Sequence, residues 1–160
     1  MGMLDVLRGW LGGGRGTAQA PQVQMLVDNV GEAHAPDEID GLDFRKAIDA
    51  HVHWKQRLQA VIEGHSAESL DVATVARDDR CVLGQWIHGA GRVSHGHLAQ
   101  FAQLREHHAD FHVCAAAVLA EAQAGHVQEA QRQLGGQYAR ASEQVKHDLI
   151  RLYLALTKMP

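Results

Sequence analysis

Apolar positions recur mainly at steps of three and four, the period of a helix face, rather than at the alternation of a strand. The clearest series follow Gly41, Gly96 and Gly125. After Gly41, Phe44, Ala47, Ile48, His51, Trp54, Leu58, Val61 and Ile62 share one face, with Asp40 or Asp43 placed to cap the start and Gly64 to close the end. Leu98, Phe101, Arg105, His108, His112, Ala115, Leu119 and Ala122 form a seam after Gly96, and Leu104, Phe111 and Val118 widen it into a core face. The last series is Leu134, Tyr138, Ala141, Val145, Leu149, Leu152 and Leu156, with Gly135 and Gly136 predicting a kink or break. Residues 65–78 read as a loop with a turn of helix around Leu70 to Val75, and a short helix is expected from Asp78 or Asp79.

The N-terminal part has a different texture. Leu4, Leu7 and Leu11, flanked by Val6 and Trp10, make a short amphipathic stretch that Gly12, Gly13, Gly14 and Gly16 bring to an end. Val23, Leu26, Val27 and Val30 predict an outer helix over about 22–33, before Pro36 and an acidic cluster. Residues 1–40 therefore read as a tail with a Gly-rich linker, and 41–156 as one domain. The expected fold is all-α, an antiparallel four-helix bundle with a short Cys-bearing helix and an extra N-terminal helix.

Composition narrows the function. A net charge of −4 with Lys and Arg scattered singly gives no basic stripe, so nucleic acid is not an expected partner. The two cysteines, Cys81 and Cys114, fit a reducing cytoplasm better than a disulfide framework. No run reaches the length of a membrane span, and residues 3–11 offer only a weak membrane contact. No phosphate loop, dinucleotide fingerprint or supported Ser, His and Asp set occurs, so no enzymatic activity is expected.

Twelve histidines are the unusual number. His108 and His112 stand at i and i+4, one above the other on the seam, close enough to reach one ion. A hydrogen-bonded core pair is the alternative. His51 adds an imidazole on the buried face of another helix, whereas His53 points away, and His107 is turned about 140° from His112. Cys81, beside Arg80 and near a helix start, is placed to form a thiolate, although a buried cysteine also serves as a small hydrophobe. Gly84, one turn on, lets backbone approach. Cys114 lies on another side of its helix. His51, Cys81, His108 and His112 make a closed tetrahedral set suited to Zn2+, with copper(I) as chemical competitor and no position left for catalytic water.

The motifs His51-Val52-His53-Trp54, Cys81-Val82-Leu83-Gly84-Gln85-Trp86 and His108-Ala109-Asp110-Phe111-His112 stand in this order. With them, residues 41–156 resemble the chemoreceptor zinc-binding (CZB) domain of bacterial signalling proteins. The resemblance implies a helical, often dimeric bundle that binds zinc through the same four residues. In that family, zinc occupancy or cysteine oxidation alters the output of chemoreceptors or diguanylate cyclases. No cyclase, receptor coiled coil or membrane anchor is expected beside the domain. The expectation is a sensory module acting as a homodimer or on a separate signalling protein in trans, with Leu4 to Leu11 as a contact. A zinc buffer or carrier without signalling output is the alternative.

Overall fold

The computed structural model describes residues 37–158. The expected N-terminal segments, 3–11 and 22–33, lie outside the described residues. The first element is a small antiparallel ribbon, β1 (Glu38–Ile39) and β2 (Leu42–Asp43), which the helical periodicity does not reveal. Its turn is Asp40–Gly41, with φ of 48° and 82°. A two-residue hairpin of that hand needs positive φ at both positions, which glycine adopts freely and aspartate tolerates. Asp40 therefore belongs to the turn, and Asp43 is the residue that caps the following helix, accepting from the Lys46 N–H at 3.0 Å.

Helix α1 (Phe44–Ile62) buries Phe44, Ala47, His51, Leu58 and Ile62, the stripe the spacing predicts. A four-residue helix, α2 (Val72–Val75), follows the loop; Asp71 caps it through the Thr74 N–H at 2.7 Å. The Cys-bearing helix α3 (Val82–His88) begins later than the expected 78 or 79, because residues 78–80 are used in a turn that leads into its cap. Helix α4 (Ala90–His95) was not expected from periodicity; it is too short to show a repeat. The longest helix is α5 (Ala99–Gln123). Its buried face carries Phe101, Leu104, His108, Phe111, His112, Ala115, Val118 and Leu119, while Arg105, which the seam included, is exposed.

The final helical stretch runs through α6 (Val127–Gln133), a π-helical segment (Leu134–Tyr138) and α7 (Ala139–Lys158). The break expected at Gly135 and Gly136 is thus a local widening of the helix rather than a stop. Leu134 and Tyr138 are both buried across it, and Tyr138 packs on Phe111 with ring centroids 5.4 Å apart. Ala141, Val145, Leu149 and Leu152 continue the core, and α1, α5 and α7 pack against one another. The described chain is an all-α helical bundle in which α2 and α3 sit beside the long helices. No helix among the described residues is long and apolar enough to cross a membrane.

Candidate metal centre

Two long helices and a short one supply the imidazoles and the thiol. His51 comes from the middle of α1, His108 and His112 from consecutive turns of α5, and Cys81 from the N-cap of α3. All three histidines are essentially inaccessible, at 3%, 0% and 3% exposure. A buried imidazole must find partners for its nitrogens or lose the hydrogen bonds water would have made. Here the partners are only half supplied. His51 Nδ1 lies 2.7 Å from the carbonyl oxygen of Ala47, and His112 Nδ1 lies 2.7 Å from that of Val75.

A carbonyl accepts and cannot donate, so Nδ1 carries the hydrogen in both rings. In the neutral tautomer this leaves Nε2 with a bare lone pair. Both Nε2 atoms are buried without a hydrogen-bond partner. Such a backbone bond on the far nitrogen is how a metal-ligating histidine is oriented. His108 presents Nε2 to Cys81 Sγ at 3.2 Å, and its Nδ1 has no partner. The rings of His108 and His112 meet edge to face at 4.7 Å, and those of His51 and His108 at 5.7 Å.

Electrostatics keeps these rings neutral. Burial lowers the pKa of all three; for His108 burial together with the neighbouring His112 and His51 pushes it down to about 2. Neutral imidazole is the form that binds a metal. Cys81 behaves differently from the expectation that the helix start and Arg80 would make it a ready thiolate. Burial raises the Cys81 thiol pKa, outweighing the opposite pull of the Gly84 N–H, and Arg80 is not among the causes. The Gly84 N–H points at Sγ from 3.3 Å, so one stabilising donor is in place. A metal ion bound there would deprotonate the thiol.

Gly84 has a firm steric role. A Cβ there would stand 1.6 Å from the carbonyl oxygen of Asp78, so only glycine allows the 78–80 turn to close over α3. Trp86 of the same motif is buried and packs against Phe44 at 5.6 Å and Phe101 at 5.8 Å, anchoring the helix that presents Cys81. Trp54 of the first motif is half-buried, with the Arg57 guanidinium 4.0 Å over its ring.

Among the described residues, the donors that converge within 4.8 Å of one another belong to Cys81, His108 and His112. His51 lies beside this group, edge-on to His108, with its free Nε2, but its donor is not in the converged set. His53 is exposed. His107 is turned away, its Nδ1 2.5 Å from the buried carboxylate of Asp148 on α7. Cys114 is half-buried near Asp110 and Arg140, and burial raises its thiol pKa.

Two imidazoles from α5 and a thiol at the start of α3, with buried unpartnered nitrogens, define a helical-bundle domain able to hold a soft or borderline divalent metal. Residues 51–119 match the family model of the chemoreceptor zinc-binding domain. No curated protein and no solved structure matches the chain.

Proposed function

We propose that the chain is a zinc-responsive regulatory module of bacterial signalling, with His51, Cys81, His108 and His112 as the four zinc ligands. The observation that carries this reading is the pair of buried, unpartnered Nε2 atoms of His51 and His112, each fixed by a backbone carbonyl on the opposite nitrogen. His112 shares one donor cluster with Cys81 and His108, and the His51 ring stands edge-on to His108. Nitrogen and sulfur donors in this ratio suit zinc. His51 completes the set from α1 by a small adjustment of a ring already beside His108.

The chain's own groups do most of the work in this account. The carbonyls of Ala47 and Val75 hold the two imidazoles in one tautomer and one orientation. The Gly84 N–H supports the sulfur, and the Phe111 ring packs against that of His51, 4.8 Å away. Zinc, when bound, supplies the charge that keeps Cys81 a thiolate and joins α1, α3 and α5. Four protein ligands leave no site for an activated water, so the role is regulatory rather than catalytic.

The same ligand gives a redox input. A thiolate at Cys81 that attacks the oxygen of hypochlorous acid, with chloride leaving, becomes a sulfenic acid and a poorer ligand. The output runs through a homodimer or a signalling protein bound in trans. Zinc titration against a chelator of known affinity, followed by pull-down from bacterial lysate with and without chelator, tests this reading. A partner captured in one metal state only supports it; a site permanently filled at every accessible zinc level, with no metal-dependent partner or association, favours a buffer or structural role.

A further inference from the structure

A cleft of about 300 Å3 opens beside the metal centre, and both Cys81 and His112 lie in its wall together with Trp54, Arg57, Asp71 and Arg80. Ser69, Leu70 and Asp71, at the end of the 63–71 segment, are part of that wall. Residues 66–70 also line a second hollow of about 440 Å3, together with Val61, Gly64 and Gln123. Leu70 packs against the core, and the other tethers of this segment are polar. Glu68 receives the Arg57 guanidinium in a fork, with Nε at 3.0 and 3.1 Å from its two carboxylate oxygens. Gln123 Nε2 donates to the Leu70 carbonyl at 2.7 Å. The segment then leads directly into α2, where the Val75 carbonyl holds His112.

We propose that this cleft is the port through which the metal ion and small thiol-directed molecules reach Cys81 and His112, and that the Arg57–Glu68 fork is its latch. The inference rests on the metal reading given above. Arg57, in the wall of the cleft, is fixed from two sides, by the Trp54 ring and by the Glu68 carboxylate, so the fork ties α1 to the stretch of chain whose next residues, Ser69, Leu70 and Asp71, line the opening. Releasing it frees the segment without touching any proposed ligand. A latch of this kind changes the rates of passage in both directions and leaves the equilibrium affinity alone.

The test uses the full chain carrying Cys114→Ser, so that Cys81 is the single thiol, with Glu68→Gln as the latch variant. Glu143→Gln, which removes an exposed ion pair with Lys146 elsewhere, is the control. In the metal-free protein, alkylation of Cys81 by iodoacetamide is expected to speed up by about threefold in Glu68→Gln, the scale of one exposed ion pair, and not in Glu143→Gln. In the zinc-loaded protein, the association rate and the dissociation rate to a chromogenic chelator are expected to rise together, with Kd unchanged within about twofold. Unchanged alkylation and exchange rates would overturn the port, as would a dissociation rate that rises alone with a weakened Kd, which marks a pair that supports the site. A parent chain that binds no zinc overturns the metal reading instead, and the alkylation arm still decides the port.

Discussion

The Nδ1 of His112 sits 2.7 Å from the carbonyl oxygen of Val75, a bond that joins the longest helix to a four-residue one and aims the other ring nitrogen at Cys81 and His108. Orientation by a backbone carbonyl is independent of side-chain chemistry on the partner, so the ligand roles can be tested one residue at a time. His112→Ala and Cys81→Ala are each expected to lower zinc affinity at least about tenfold. His53→Ala, on the exposed side of α1, and Cys114→Ser, outside the donor group, are expected to keep full zinc stoichiometry. Metal analysis of the purified variants measures this; equal losses at His53 and His112 would contradict the assignment.

His107 provides a sharper contrast with its neighbour His108. Its imidazole binds the buried Asp148 carboxylate and so links α5 to α7. His107→Ala leaves that carboxylate without its main partner, and a cost of about 1–3 kcal/mol in unfolding free energy is expected, with zinc still bound. Urea denaturation and metal analysis on one preparation separate the two effects. Loss of zinc with unchanged stability would reverse the roles of the two histidines.

Much of this division was legible in the sequence. The i, i+4 spacing of His108 and His112, the place of His51 in an apolar stripe, and the turned-away position of His107 follow from helix geometry alone. The Asp40–Gly41 ribbon and α4 were missed because two to six residues cannot display a helical repeat, although an Asp-Gly pair is a hairpin signal in its own right. The raised pKa of the Cys81 thiol is hidden from the sequence for a different reason. Sequence neighbours such as Arg80 are visible along the chain, but burial, which dominates here, is a property of the packed fold. The partner of His107, forty-one positions away on α7, was equally out of reach of any local pattern.

Gly84 is predicted to be irreplaceable. In Gly84→Ala the new Cβ would collide with the Asp78 carbonyl, so the 78–80 turn must move and carry Cys81 with it. We expect about 1–3 kcal/mol of destabilisation and at least about tenfold weaker zinc binding. Thermal unfolding and zinc titration of this variant check it, and wild-type behaviour in both would contradict the close approach.

Acid should unfold the metal-free protein early. The pKa values of His51, His108 and His112 are lowered in the folded state, so the unfolded chain binds protons more readily. The linkage sign then makes their contribution fully present above the unfolded value of about 6.5, and stability falls as pH drops below it. For His108, whose folded value is about 2, the decline continues through the whole range between. Each such imidazole adds up to about 1.4 kcal/mol per pH unit to the slope. Urea midpoints of the chelated protein between pH 7 and 5 test this, and a flat profile would contradict it.

Zinc removal is expected to act unevenly. Leu83, Trp86 and Ile87 bury α3 against the bundle whether or not metal is present, whereas residues 66–81 depend on the tethers to α1 and α5 and on Cys81 itself. Hydrogen exchange should therefore rise over 66–81 on chelation and on treatment with hypochlorous acid, and little over 83–88. Because ligand binding to the folded state adds about 2.7 kcal/mol at a hundredfold excess over Kd, the melting temperature should fall while the bundle stays folded. Uniform protection in all three states would show that the metal is not coupled to this segment.

The central claim is that His51, Cys81, His108 and His112 close around one metal ion, and cobalt(II) in place of zinc reads it most directly. The account predicts one equivalent bound, an intense sulfur-to-metal charge-transfer band and the visible spectrum of a four-coordinate ion. Cys81→Ser should remove the charge-transfer band, and His51→Ala should change the coordination spectrum while keeping the band. A six-coordinate spectrum without the thiolate band, or a spectrum indifferent to both substitutions, would contradict it.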